Sequence, residues 1–128
     1  MTPEVLLIED NSADVRIMKE IISRSSVAVR ITVAEDVEKA LALLRDPLFK
    51  PDLVITDMRL PKTNGADVLK WCNEGGVPLV VFSGSKDPAD KVEAIRLGAK
   101  EFIEKPPDLD GYTEAVWRMI WTWIKPLA

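Results

Sequence analysis

Residues 53–57 read Leu-Val-Ile-Thr-Asp, a short apolar run that ends at an acidic residue. Three further apolar runs also end at side chains that can take part in chemistry. These runs are residues 5–8 before Glu9 and Asp10, residues 79–82 before Ser83, and residues 102–104 before Lys105. A fifth run, residues 29–33, ends at Ala34 and offers no such group. The repeated pattern predicts a functional site built at strand ends.

The apolar runs show no alternation of polar and apolar residues, which is typical of parallel strands buried on both faces. Between them, apolar side chains recur at helical spacing, and glycine or proline follows several of these segments. The predicted helices span residues 12–25, 36–45, 65–73, 88–97 and 109–124. Strands and helices alternate, so we predict an α/β, flavodoxin-like doubly wound fold. Its five-stranded parallel sheet would have the strand order 2-1-3-4-5.

In that order the winding direction reverses between strands one and three, and ligands of such sheets bind at this point. Glu9, Asp10 and Asp57 are therefore expected side by side, with Ser83 and Lys105 on the next two strands. Adjacent carboxylates repel one another unless a cation neutralises them, and oxygen ligands suit Mg²⁺. A carboxylate can also accept a phosphoryl group. Such a transfer needs in-line positioning and positive charge more than proton chemistry.

Each residue taken alone has a simpler explanation. Glu9 and Asp10 could cap the following helix, and Lys105 could be a solvated surface charge. Phe102, in an apolar run, is compatible with core packing. Cys72 falls on an apolar helix face and is assigned to packing. Only the joint placement of the polar groups, one at each strand end, favours a shared function.

The overall composition restricts the classes of protein further. The chain has 128 residues, which fits one domain spanning residues 1–128. Its net charge of −4 disfavours nucleic acid as a partner, and the absence of histidine excludes a Ser-His-Asp triad. One cysteine excludes an internal disulfide and fits a reducing, cytoplasmic compartment. The apolar runs are too short for a signal peptide or a membrane span, so no membrane partner is expected.

Four motifs together resemble the receiver domains of two-component response regulators, those related to the chemotaxis regulator. The motifs are LLIEDN at 6–11, DLVITDMRLPKTNG at 52–65, VVFSGS at 80–85 and LGAKEFIEKP at 97–106. The resemblance covers essentially the whole length. It implies a cytoplasmic switch, with Asp57 phosphorylated by a sensor histidine kinase or a histidine phosphotransfer protein.

The resemblance also implies the metal ligands. Mg²⁺ (or Mn²⁺) would be held by Asp10, Asp57 and the main-chain carbonyl of Arg59, with Glu9 acting through a water molecule. Glu9 stands where the family frequently has aspartate, and its side chain is longer by one methylene.

The resemblance further implies that Lys105 and Ser83 serve the phosphoryl group. Ser83 and Phe102 would form the switch, although the family more often has threonine and tyrosine at these positions. The Lys105-Pro106 bond is commonly cis in such proteins, and it is expected to be cis here.

The last predicted helix has an apolar arc that is wider than one sheet face can cover. Its expected inward stripe is Leu109, Tyr112, Val116, Ile120 and Trp123. Trp117 and Trp121 fall outside that stripe. They either shield the edge of the core or form a partner or homodimer surface. In the family, helix four, strand five and helix five commonly provide that surface for a downstream protein, whose identity is unknown here.

The prediction is a signalling switch whose only chemistry is its own phosphorylation and dephosphorylation, with no output domain in this chain. A phosphorylation-independent receiver-like adaptor is the alternative. A small phosphatase with an aspartate nucleophile would usually need a second acid two residues later. Arg59 stands at that position, which disfavours such an enzyme.

Overall fold

The computed structural model of the chain describes residues 2–57 and 65–124. Within these residues, strands and helices alternate strictly. The strands are β1 Glu4–Ile8, β2 Arg30–Ala34, β3 Leu53–Thr56, β4 Leu79–Ser83 and β5 Glu101–Glu104. The helices are α1 Ser12–Ser23, α2 Val37–Arg45, α3 Gly65–Gly75, α4 Pro88–Arg96 and α5 Leu109–Trp123.

The strands form one sheet in the order β2-β1-β3-β4-β5, and each adjacent pair is parallel. This confirms the predicted fold class. The register pairs Ile8 of β1 with Thr56 of β3, and Ser83 of β4 with Glu104 of β5. Because parallel strands all point the same way, the residues that follow them meet at one edge.

Helices cover both faces of the sheet. One apolar cluster joins α1 and α5 to one face and includes Phe82, Val116 and Met119. The other joins α2, α3 and α4 to the opposite face and includes Leu44 and Cys72. Cys72 is fully buried in this cluster, which agrees with the predicted packing role, and burial raises the pKa of its thiol to about 12.

The first helix begins at a side-chain cap. Asn11 is extended at φ −86°, and its Oδ1 accepts hydrogen bonds from the backbone N–H groups of Ala13 and Asp14 at 2.9 and 3.1 Å. The cap satisfies donors that have no partner within the helix. It also fixes Asp14 in the first turn of α1, on the side of the strand ends.

The predicted inward stripe of α5 is wrong at Leu109, which is 66% exposed. Leu109 is the first residue of the helix and lines an open groove against α1, so nothing covers its side chain fully. Ala115 and Met119, which the stripe omits, are buried instead. The buried arc is therefore rotated away from α1 relative to the prediction.

The turn between α4 and β5 depends on Gly98, whose φ is +111°. A Cβ at this position would lie 2.0 Å from Nδ2 of Asn73, a side chain that donates a hydrogen bond to the Leu97 carbonyl at 3.2 Å. The backbone conformation therefore favours glycine, and a Cβ would also displace the Asn73 side chain from its hydrogen bond.

Gly98→Ala is expected to lower the free energy of unfolding by about 2–3 kcal/mol, because it adds backbone strain and displaces Asn73. Gly76→Ala has the strain of a positive φ (+71°) but open space, so we expect about 1 kcal/mol. Gly75→Ala meets only ordinary contacts and is the matched control. Urea denaturation measures the loss in the free energy of unfolding for each of the three variants. Equal losses for Gly98→Ala and Gly76→Ala would contradict a contribution from the displacement of Asn73.

Candidate functional site

The polar residues predicted from the strand ends do gather at one edge of the sheet. Glu9 directly follows β1, Asp57 follows β3, Ser83 ends β4 and Lys105 follows β5. Glu9, Asp57 and Ser83 are buried, with exposed fractions of 5%, 7% and 0%. Ionisable groups are rarely buried to this extent unless they are paired.

Lys105 provides that pairing. Its Nζ lies 3.0 Å from Oε1 of Glu9, 3.2 Å from Oδ2 of Asp14 and 3.3 Å from Oδ2 of Asp57. Burial by itself lowers the pKa of the ammonium, but the bonds and charges of these carboxylates outweigh it and raise the pKa above its ordinary value. Lys105 therefore stays protonated and neutralises part of the cluster at neutral pH.

Glu9 is held from two sides. Oε1 accepts from Lys105, while Oε2 accepts hydrogen bonds from the backbone N–H groups of Asp10 and Asn11 at 3.1 and 3.3 Å. Burial nevertheless raises the pKa of the carboxyl above its ordinary value of 4.5, against the opposing effect of Lys105. Glu9 is thus a carboxylate held in a desolvated position by its hydrogen bonds.

Asp14 belongs to the site, although no pattern in the sequence predicts it there. It lies on α1 rather than at a strand end, and its side chain is 30% exposed. An acid in the first turn of a helix is ordinarily explained by the helix dipole, so its position carried no separate signal. Only the approach of Lys105, ninety-one positions along the chain, shows that it belongs to the site.

Ser83 is tied to the loop that follows it. Its Oγ accepts a hydrogen bond from the Ser85 backbone N–H at 3.1 Å. Its carbonyl accepts another from the Lys105 N–H at 2.7 Å. The Ser85 hydroxyl in turn donates to Oδ2 of Asp90 at the start of α4. A change at Ser83 would therefore reach α4 through a short chain of hydrogen bonds.

Aromatic rings lie on both sides of the site. Tyr112 of α5 contacts Phe82 edge to face, with ring centroids 5.1 Å apart at 67°. Nζ of Lys105 lies 5.8 Å from the centre of the Phe82 ring. Phe102 is half-buried and packs against the cluster on the other face of the sheet. Both the packing and the switching explanations of Phe102 remain compatible with this placement.

The predicted metal ligands are only partly within the described residues. Asp10 is exposed beside the buried Glu9 and Asp57, and Arg59 lies outside the described residues. In residues 2–57 and 65–124, no three His, Cys, Asp or Glu side chains are arranged as a metal-holding group. The donor chemistry still fits a hard divalent cation. Three carboxylates (Glu9, Asp14 and Asp57) contact one ammonium, which leaves a formal charge of −2, and Asp10 follows Glu9 directly in the chain.

One expectation for the site is wrong. The described residues contain no cis peptide bond, so the Lys105-Pro106 bond is trans, the lower-energy isomer for most bonds that precede proline.

The two tryptophans lie on the α1 side of α5. Nε1 of Trp117 donates a hydrogen bond to the Ile21 carbonyl of α1 at 2.9 Å, and Trp121 follows one turn later on a similar face. Trp117 is 37% exposed and Trp121 is 52% exposed. Both rings are thus partly exposed, as expected from their place outside the predicted inward stripe, and Trp117 contacts α1. Helical spacing alone could not decide which flank of α5 meets α1.

A model of the response regulator receiver domain family matches residues 5–116. The chain is a response regulator receiver domain. It is 35% identical over 111 residues to the sensory transduction protein BceR of Halalkalibacterium halodurans, covering 84% of this chain and 45% of that protein. It is 32% identical over 104 residues to the transcriptional regulatory protein CpxR of Klebsiella pneumoniae subsp. pneumoniae, covering 80% and 43%.

Among solved structures, the phosphorylated cyanobacterial phytochrome response regulator RcpA is similar over its whole fold. The TM-score is 0.87 at 27% identity, with 100% of this chain and 98% of that chain covered. The receiver domain thus spans less than half the length of the curated relatives BceR and CpxR. Receiver domains are signalling switches that histidine kinases phosphorylate and that bind Mg²⁺. None of the helices in the described part of the chain is long and apolar enough to cross a membrane.

The raised pKa of Glu9 predicts a pH dependence of stability. A carboxyl group whose folded-state pKa lies above its unfolded value binds protons more tightly when folded. The free energy of unfolding should therefore fall as the pH rises from 4.5 through the folded-state pKa of Glu9. Urea denaturation in EDTA, compared between wild type and Glu9→Gln, isolates this contribution. The slope should be shallower in the variant, and identical slopes would contradict it.

Proposed function

We propose that this receiver domain works through phosphorylation of Asp57, which switches a partner-binding surface. The observation that carries the proposal is the Lys105 ammonium, 3.3 Å from Oδ2 of a buried carboxylate at a strand end. If Asp57 had only a structural role, two further acids beside the same lysine would not stabilise its buried carboxylate. The same arrangement provides a nucleophile and a positive charge where a phosphoryl group would arrive.

In the reaction, an Asp57 carboxylate oxygen attacks phosphorus as the bond between phosphorus and the donor breaks. With phosphohistidine the P–N bond breaks and the donor histidine keeps the electron pair; with acetyl phosphate, acetate leaves. Lys105 would neutralise charge on the equatorial phosphoryl oxygens, and the Ser83 hydroxyl would donate a hydrogen bond to one of them. Ser83 would first give up its contact with the Ser85 N–H.

Mg²⁺, or Mn²⁺, would be held by Asp10 and Asp57 with the Arg59 carbonyl, and by Glu9 through a water molecule. When bound, the ion would offset the excess negative charge at the site and screen the incoming phosphoryl group. Glu9 and Asp57 are buried on either side of Lys105, and this supports their role in holding charge at the site.

The change at Ser83 would be transmitted in two directions. Its link through Ser85 and Asp90 leads to the start of α4, and Phe102 of β5 packs against the same face of the sheet as α4. Phosphorylation would thus shift the population of conformations at α4, β5 and α5, where a downstream protein or a second copy could bind. Trp117 and Trp121 provide a second candidate interface on the α1 side of α5.

Incubation with Mg²⁺ and acetyl phosphate should add one phosphoryl group to the wild-type protein, measured as intact mass. Asp57→Asn should add none, because the amide is not a nucleophile at this step. Asp110→Asn, which removes an exposed acid from the first turn of α5, is the charge-matched control and should label normally. Labelling of Asp57→Asn to the wild-type level would contradict the assignment.

The same samples can be separated by size-exclusion chromatography, with Trp121→Ala added to the set. A phosphorylation-dependent change in elution that Trp121→Ala abolishes would assign the second-copy contact to the α1 side of α5. A change that persists in Trp121→Ala would assign it to another face.

A further inference from the structure

The hydroxyl group of Tyr112 is buried next to the site without a hydrogen-bond partner. Its residue is only 8% exposed, and the hydroxyl oxygen is one of two buried side-chain polar atoms in residues 2–57 and 65–124 that have no partner. A buried hydroxyl normally finds one, because leaving it unpaired costs about 1–3 kcal/mol. The unpaired Tyr112 hydroxyl beside the charged cluster therefore needs a physical explanation.

Among the charged groups of the site, Asp14 acts most strongly on this hydroxyl. Burial is the main cause that raises the pKa of Tyr112 to about 12; among the charged groups Asp14 adds most to the rise, Lys105 opposes it, and Glu9 and Asp57 add less. The Tyr112 ring also contacts the Phe82 ring, and Nζ of Lys105 lies 5.8 Å from the centre of the Phe82 ring. Tyr112 is thus linked through the Phe82 ring to the surroundings of the Lys105 ammonium, which contacts Asp14 directly at 3.2 Å.

Asp14 competes for the ammonium that the proposed phosphoryl group needs. In the structure Lys105 is shared among Glu9, Asp14 and Asp57. A phosphoryl group on Asp57 adds oxygens that attract Lys105 more strongly than a single carboxylate does. If Lys105 moves to them, the Asp14 carboxylate loses its only cationic partner among the described contacts while it remains half-buried.

We propose that Asp14 and Tyr112 form a positioning pair for Lys105. Asp14 holds the ammonium in the unphosphorylated protein; on phosphorylation Lys105 moves to the phosphoryl oxygens, and the Tyr112 hydroxyl then donates a hydrogen bond to Asp14. This inference rests on the proposed phosphorylation of Asp57. The exchange satisfies two groups at once, because the orphaned donor meets the carboxylate that has lost its cation. No bond other than hydrogen bonds and the ion pair changes.

The pair has opposite effects in the two states. Asp14 favours the unphosphorylated protein because it retains Lys105, whereas the Tyr112 hydroxyl favours the phosphorylated form because it has no hydrogen-bond partner in the present structure and gains one there. Removing the hydroxyl should therefore leave the unphosphorylated protein at least as stable as wild type. A merely structural role for the hydroxyl would instead lower stability in both states.

The chain contains one tyrosine, so tyrosine labelled with ¹³C at Cζ gives a single resonance that reports on the hydroxyl. Mg²⁺ with beryllofluoride, which mimics a phosphoryl group on a carboxylate, should shift this resonance as the hydrogen bond forms. The shift should be absent in Asp14→Ala and retained in Asp110→Ala, which removes an exposed acid from the first turn of α5. A resonance that moves equally in all three proteins, or in none, overturns the proposal.

Binding constants for beryllofluoride, followed by tryptophan fluorescence, complete the test as a double-mutant cycle. Tyr112→Phe should weaken binding about 5-fold, the equivalent of one hydrogen bond of about 1 kcal/mol. Asp14→Ala should tighten it, because one competitor for Lys105 is gone. Tyr112→Phe should have no effect once Asp14 is alanine. Equal effects of Tyr112→Phe in both backgrounds would overturn the pairing.

Intact mass after acetyl phosphate treatment distinguishes a failure of the Asp57 assignment from a failure of the positioning pair. If wild type takes up no phosphoryl group and binds no beryllofluoride, the role of Asp57 fails and the positioning pair fails with it. If wild type is labelled and binds beryllofluoride, but Tyr112→Phe behaves like wild type, only the positioning pair fails. Urea denaturation of unphosphorylated Tyr112→Phe confirms that the variant is folded.

Discussion

The ion cluster around Lys105 is the interaction on which the rest of the site depends. One ammonium lies within 3.3 Å of three carboxylates, one directly after β1, one in α1 and one directly after β3. Without it, Glu9 and Asp57 would be two buried like charges that lack the ammonium both of them contact. The cluster joins the segments that follow β1, β3 and β5, so it also holds together the edge of the sheet where the proposed chemistry would occur.

The Lys105 ion cluster is held together by ion pairs but carries excess negative charge. A single positive charge cannot neutralise its carboxylates, and burial already makes ionisation of Glu9 less favourable. Such a site has reason to accept a divalent cation, and its lysine has several acceptors of similar distance between which it can move. Small differences in charge at Asp57 can therefore redirect Lys105. Bistability of this kind is what a switch requires, since a ligand or modification acts only through its different interactions with two states.

The positions of Glu9, Asp57, Ser83 and Lys105 could be predicted from the sequence because each ends an apolar run, and parallel strands bring such ends together. Asp14 could not, because its pairing with Lys105 depends on the rotation of α1 against the sheet. Tyr112 was expected inside the core, and it is buried, but no pattern of residue types shows that its hydroxyl has no partner.

The error at Leu109 of α5 has the same origin. A helical wheel gives the angles between side chains but not the direction of the neighbouring helix. The groove beside α1 leaves Leu109 exposed, and Trp117 donates to an α1 carbonyl. Periodicity fixes which residues share a face. Tertiary packing decides what that face meets.

The most direct test of the central claim is the free energy of unfolding of Lys105→Met, measured by urea denaturation in wild-type and Asp57→Asn backgrounds. The account predicts a loss of about 3 kcal/mol in the wild-type background, because buried carboxylates lose their cation. The loss should be at least about 1 kcal/mol smaller in Asp57→Asn, which has one carboxylate fewer to neutralise. Lys100→Met, at an exposed lysine, is the control. Equal losses in both backgrounds would contradict the account, because Lys105 would then act through packing rather than charge.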